Sequence, residues 1–189
     1  YAIGITFSEP VIGEIENAFD LLNCEIDNVV STGDNSFSLL LNALSGGQIN
    51  VELIENSFLD QAGNGIEQGV ILSIYFDNLA PTIVINSPEN GSILDIGDNV
   101  LIDWSSQDDY AIKNTRLFYR NGQNWNTINN LLLNANYYTW LVPNEPTDVL
   151  ELMVIVEDSV GLVDSSMVSD LSIQISYPKI NNIYPPIGL

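Results

Sequence analysis

Histidine is absent from the 189-residue chain, and cysteine occurs once, at Cys24. Without them there is no zinc site of the His/Cys kind, no Ser-His-Asp or Cys-His nucleophile system and no intramolecular disulfide. Basic side chains are nearly as scarce: 4 Lys and Arg stand against 25 Asp and Glu, a formal net charge of −21. Residues 1–112 hold none, and only Lys113, Arg116, Arg120 and Lys179 follow. No patch can therefore neutralise a run of phosphates, which excludes nucleic acid and disfavours anchoring on anionic lipid. No apolar run approaches the ~20 residues of a membrane-spanning helix, so no membrane insertion is expected. The opening Tyr1-Ala2-Ile3-Gly4-Ile5 lacks the basic start and long apolar core of a signal peptide, although a processed secreted chain would look the same.

What is present is enough apolar material for a packed core, 46% of residues. It comes in short clusters of period two, the pattern of half-buried strands: Ile3/Ile5/Phe7, Phe37/Leu39/Leu41, Ile49/Val51/Leu53, Val70/Leu72/Ile74/Phe76, Val100/Ile102/Trp104, Leu150/Leu152/Val154/Val156 and Leu171/Ile173/Ile175. Turn signals separate them, among them Thr32-Gly33-Asp34-Asn35, Ser45-Gly46-Gly47, Asn121-Gly122 and Pro143-Asn144-Glu145-Pro146. Only Glu14 to Leu22 offers a helical turn or two, with Ile15, Ala18, Phe19 and Leu22 at three- and four-residue spacing. Cys24 reads as a small buried hydrophobe on a strand. The expected fold class is all-β, two tandem immunoglobulin-like β-sandwiches.

Internal echoes set the organisation. Pro81 and Pro88, flanking Thr82-Ile83-Val84-Ile85-Asn86-Ser87, recur 97 positions later as Pro178 and Pro185, flanking Lys179-Ile180-Asn181-Asn182-Ile183-Tyr184. Asp60-Gln61-Ala62-Gly63 recurs 98 positions later as Asp158-Ser159-Val160-Gly161. A period near one sandwich domain implies a tandem array. The expected divisions are 1–79, a sandwich lacking its first edge strand; 80–176, a second sandwich; and 177–189, the start of a next repeat or a donor strand.

The stretch Ile5-Thr6-Phe7-Ser8-Glu9-Pro10-Val11, followed by Asp60-Gln61-Ala62-Gly63-Asn64, resembles the bacterial Ig-like domains of large surface adhesins. Residues 81–176 resemble fibronectin-III-like or Ser-Thr-rich extracellular modules, through Ile85-Asn86-Ser87-Pro88-Glu89-Asn90-Gly91, Ile102-Asp103-Trp104-Ser105-Ser106, Asn121-Gly122-Gln123-Asn124-Trp125 and Tyr138-Thr139-Trp140-Leu141-Val142-Pro143. The resemblance implies non-catalytic domains on the cell surface or outside the cell, and names no ligand.

Carboxylates are the only acid-base chemistry available, and Asp108-Asp109 is the obvious pair. Glycosidases need two carboxyl groups facing each other across roughly 5–9.5 Å, which neighbours on one loop do not suggest. Calcium is the sharper expectation, since it takes six to eight oxygens from carboxylates, amides and carbonyls on loops. Candidate ligands are Asp77 and Asn78 at the junction, Glu9, Asp60 and Asn64 in the first domain, and Asp108, Asp109 and Asp158 in the second. Asp60 and Asp158 equally fit turn aspartates that bind backbone N–H groups before a left-handed glycine. Trp104, Trp125 and Trp140 are either sandwich core or a sugar-stacking platform, the latter making carbohydrate a partner of an accessory module. Trp104 and Trp140 sit in strands and read as core. Asn90-Gly91-Ser92 fits a glycosylation sequon and equally a turn.

A sandwich short of an edge strand exposes unpaired backbone, which another chain can cover by strand addition. The segment carrying Tyr177, Pro178, Ile180, Ile183, Tyr184, Pro185, Ile187 and Leu189 could fill that gap in the next copy, and repetition of a contact that does not close makes a filament. Partners are then identical subunits head-to-tail or neighbouring Ig-like domains, according to whether the chain is a whole mature subunit or an excerpt of a longer protein.

Overall fold

Residues of period two become strands where one face can be buried against a second sheet. The structure, a computed structural model, describes residues 1–175 and Tyr177, apart from the side chain of Glu16. Backbone contacts divide the chain into two units, Tyr1–Asn78 and Leu79–Leu189.

Unit 1 contains β1 (Ala2–Thr6), β2 (Phe19–Leu22), β3 (Cys24–Gly33), β4 (Ser36–Ala43), β5 (Gly47–Leu53) and β6 (Val70–Phe76). One sheet has the order β1-β4-β3 and the other β2-β5-β6, all pairs antiparallel. Leu39 and Leu41 of β4 meet Ile49 and Val51 of β5 between the sheets, with Cys24 beside them. Burial raises the Cys24 thiol pKa, as fits a packed thiol held neutral. A second cluster of Ala18, Leu53 and Phe58 is capped by Phe7, whose ring centre lies 5.1 Å from that of Phe58.

The segment expected to turn helically makes only a 3-10 turn, Ile15–Asn17, before entering β2. Its helical spacing loses to pairing with β5: Phe19 and Leu21 alternate with exposed Asp20 and Leu22, and the Ala18 carbonyl accepts from Ile54 N–H at 2.9 Å. Just before it the chain passes so close to Phe58 that a Cβ on Gly13 would lie 2.6 Å from the Ser57 carbonyl oxygen and 2.7 Å from the Phe58 ring. Gly13→Ala is expected to destabilise unit 1 by about 1–3 kcal/mol, the usual cost of overpacking. Gly4→Ala, with open space around its Cβ, should not; urea denaturation followed by far-UV circular dichroism checks both.

Unit 2 contains β7 (Thr82–Ser87), β8 (Ile93–Asp95), β9 (Asn99–Gln107), β10 (Ile112–Arg120), β11 (Asn126–Leu132), β12 (Tyr137–Leu141), β13 (Thr147–Asp158) and β14 (Val163–Gln174). Its sheets run β12-β9-β7 and β11-β10-β13-β14-β8, with β8 parallel to β14 and every other pair antiparallel. From Leu150 onward every second residue of β13 is buried, so the alternation Leu150/Leu152/Val154/Val156 forms one wall of a core that also holds Trp104, Leu117, Trp140 and Leu171.

This is the strand plan of an immunoglobulin or fibronectin-III sandwich. β9 and β12 correspond to β1 and β4, and β10, β13 and β14 to β2, β5 and β6. Three strands of unit 2, β7 beside β9, β8 beside β14 and β11 beside β10, have no counterpart among the described residues of unit 1, whose β3 pairs with β4 in the other sheet.

Candidate functional site

The two aspartate motifs occupy the same turn in each sandwich, between β5 and β6 and between β13 and β14. Asp60 Oδ1 accepts from the N–H groups of Ala62 (2.7 Å) and Asn64 (2.8 Å), and Oδ2 from Asn64 Nδ2 (2.7 Å). These bonds favour the carboxylate, and the Asn64 side chain is the leading cause that lowers the Asp60 pKa. Asp158 Oδ1 accepts from Val160, Gly161 and Leu162 N–H at 2.7–2.9 Å. Gly63 and Gly161 follow at φ +87° and +97°, the left-handed region glycine adopts without cost. Each turn closes with a backbone bond, Asp60 N–H to Asn64 and Asp158 N–H to Leu162. Asp60 is half-buried at the start of an exposed turn, whereas Asp158 is fully buried at 0% exposure, with Oδ2 lacking a hydrogen-bond partner.

Of the other candidate ligands in unit 1, Glu9 is exposed, Asp77 is buried, and Asn78 places Oδ1 2.6 Å from where a Gly46 Cβ would stand. In unit 2, Asp108 Oδ2 accepts from Tyr110 N–H (3.0 Å) and Ala111 N–H (2.8 Å), while Oδ1 is buried without a hydrogen-bond partner. Asp108 lines a mixed polar and apolar groove of about 520 Å³ with Tyr110, Thr115 and Asn136, and its neighbour Asp109 is exposed. Asp108 and Asp109 bring carboxylate oxygens within 4.8 Å of one another on one loop, and Asp158 sits in the turn between β13 and β14.

Three of the four basic residues lie on β10 and face β13. Lys113 Nζ is 2.8 Å and Arg116 Nη2 3.5 Å from Glu157, and Arg120 bonds Glu151. Hydrogen bonds from Lys113 and from Arg120 hold Glu157 and Glu151, respectively, below the usual carboxylate range. A pKa lowered by folding contributes stability above the unfolded value, ~4.3 for Glu, and loses it as pH falls through the folded value. Glu157→Gln should therefore lower the melting temperature of unit 2 near neutral pH, and the gap from wild type should close as pH falls below ~4. A gap that stays constant with pH would contradict this.

Trp104 and Trp140 are core residues. Trp125, half-buried after the Asn121-Gly122 turn, carries the Arg120 guanidinium 4.7 Å from its ring centre, so a cation already covers one face. Asn90 Oδ1 accepts from Ser169 N–H at 2.8 Å, a structural use of the sequon asparagine. Of the expected assembly residues only Tyr177 is described, and it is exposed; Pro178, Ile180, Ile183, Tyr184, Pro185, Ile187 and Leu189 lie outside the described residues.

The feature that strand patterning did not reveal is an apolar groove of about 400 Å³ between the two sheets of unit 1, open between edge strands β1 and β6. Ile3, Ile5 and Phe7 line one side, and Val51, Leu53, Val70 and Leu72 line the other. Val70, Ile71 and Leu72 are 62%, 59% and 38% exposed, an unusual run for an edge strand. The signal was in the sequence: Val70-Ile71-Leu72-Ser73-Ile74-Tyr75-Phe76 has no charge and no proline.

Three solved structures illustrate what the chain is similar to. Fibronectin(III)-like modules of Clostridium thermocellum CbhA align over 97% of this chain and 91% of theirs, at 13% identity and a TM-score of 0.47. Tandem Ig repeats of Dlar align over 93% and 90%, at 12% identity and a TM-score of 0.35. The adhesin InvE of Yersinia pseudotuberculosis aligns over 80% of this chain and 47% of its own, at 14% identity and a TM-score of 0.24. No protein-family description and no curated protein sequence matches the chain. The strand order of the two units makes them Ig/fibronectin-III-like β-sandwiches.

Proposed function

We propose that the chain is a non-catalytic structural or adhesive module of a microbial extracellular or cell-surface protein, serving as spacer and head-to-tail assembly unit and stabilised by calcium. The observation that carries this reading is the open apolar edge of unit 1. Asp60 and Asp158 serve backbone N–H groups, and Glu151 and Glu157 serve the cations of β10. Such carboxylates support a scaffold more than they support acid-base chemistry.

The calcium element rests on charge. Twelve carboxylates lie in 1–80 and thirteen in 81–189, and their self-repulsion opposes the compact state. The partnerless Asp108 Oδ1 is an oxygen that a divalent ion would satisfy. Millimolar Ca²⁺ is expected to raise the melting temperature more than NaCl of matched ionic strength does; equal effects would reduce the role of calcium to screening. Electron microscopy of the purified chain, with and without calcium, tests the reading as a whole. Rods or filaments are expected, and isolated beads under both conditions would overturn it.

A further inference from the structure

In unit 2 the edge equivalent to the unit 1 groove is closed by the chain itself. β7 pairs antiparallel with β9 and sends Ile83 and Ile85 into the core, with Pro81 and Pro88 buried at its ends. β8 covers β14, where Ile173 is buried. In unit 1 the corresponding strands β1 and β6 have no such neighbour among the described residues.

The bare edge of β1 is ready for pairing. Tyr1 exchanges bonds with Leu41 in both directions, and Phe7 N–H reaches the Asn35 carbonyl. Antiparallel pairs alternate between bonded and non-bonded residues, so the odd-numbered positions bond to β4. The N–H and C=O groups of Ala2, Gly4 and Thr6 therefore point away from the sheet, while the side chains of Ile3 and Ile5 line the groove. Backbone groups at the edge and apolar pockets beside it are the two halves of a strand-addition site.

One segment of this chain matches that site. Residues 178–185 repeat the proline frame of β7, with Ile180 in the place of Ile83. The next isoleucine, Ile183, is three positions on, so both can face the groove only across a one-residue bulge. β7 itself shifts register between Ile85 and Ser87. Charge is complementary too: unit 1 has twelve carboxylates and no lysine or arginine, and 177–189 has Lys179 and no acidic side chain. We propose that the groove between β1 and β6 receives residues 178–189 of a second copy of this chain, paired antiparallel to β1. This rests on the head-to-tail reading above and names its contact.

The test compares the full chain with a variant ending at Tyr177, by sedimentation over a range of concentrations, and adds a synthetic peptide of residues 177–189. The full chain should grow in mass with concentration and the shortened chain should not. The peptide should bind the shortened chain, shorten assemblies of the full chain, and lose at least ~tenfold in affinity on Ile180→Asp with Ile183→Asp, because the site would desolvate two carboxylates. Equal assembly of both chains would overturn this contact while leaving head-to-tail assembly standing through another surface. A monomeric full chain whose shortened form still binds the peptide would place the segment in its own copy and overturn the second-copy claim. Failure of the peptide either to bind or to shorten assemblies would overturn the groove as the acceptor.

Discussion

Trp104→Ala is expected to cost unit 2 about 3–5 kcal/mol, a large part of the ~5–15 kcal/mol that holds a typical domain together. The indole is 1% exposed, lies at the centre of the core between β9 and β13, and would leave a cavity that rigid strand pairing on both sides cannot collapse. Trp104→Phe should cost much less, because it keeps an aromatic ring there and removes an indole N–H that has no hydrogen-bond partner. The chain provides its own probes: all three tryptophans lie in unit 2, so their fluorescence follows that unit alone. Guanidinium titration of Trp104→Ala should show a fluorescence midpoint well below wild type. A loss under ~1 kcal/mol would contradict the core assignment.

Asp158→Ala should be the next most damaging change, on the order of 3 kcal/mol, because it strands three backbone N–H groups at a buried turn. Asp158→Asn keeps an acceptor oxygen in place and should retain part of that stability. The matching Asp60→Ala in unit 1 should cost less than Asp158→Ala, since solvent can replace the lost acceptor at an exposed turn. Thermal melts of the three variants check the order. If Asp158→Ala and Asp60→Ala were equally mild, the buried turn would not be a structural anchor of unit 2.

Strands that bury one face in strict alternation were legible in the sequence. Leu150 to Val156 and Ile49 to Leu53 are such runs, and so are the Asp60 and Asp158 turns that join equivalent strands. Strands whose polar residues fall on both faces were not. β10 carries Asn114 and Thr115 buried side by side, with Lys113 and Arg116 flanking them, which hides the period. β11, Asn-rich, and β8, three residues long, offer no period to read, and β2 was masked by a chance helical spacing. The groove of unit 1 is a matter of which strands lack partners, and pairing across distant segments is invisible to local pattern. Its signals in the sequence were the 97-residue period, which leaves 1–79 short of a first edge strand, and the charge-free composition of β6.

Low protection is expected at that edge, because an amide without a ladder partner opens at little cost. The most direct measurement of the central claim is amide hydrogen exchange at Gly4 and Thr6 in the chain ending at Tyr177, with and without the peptide of residues 177–189. Added strand pairing predicts that the peptide slows exchange at these two outward-facing amides and leaves β9 of unit 2 unchanged. Exchange at Gly4 and Thr6 that stays fast at saturating peptide would contradict strand addition at β1.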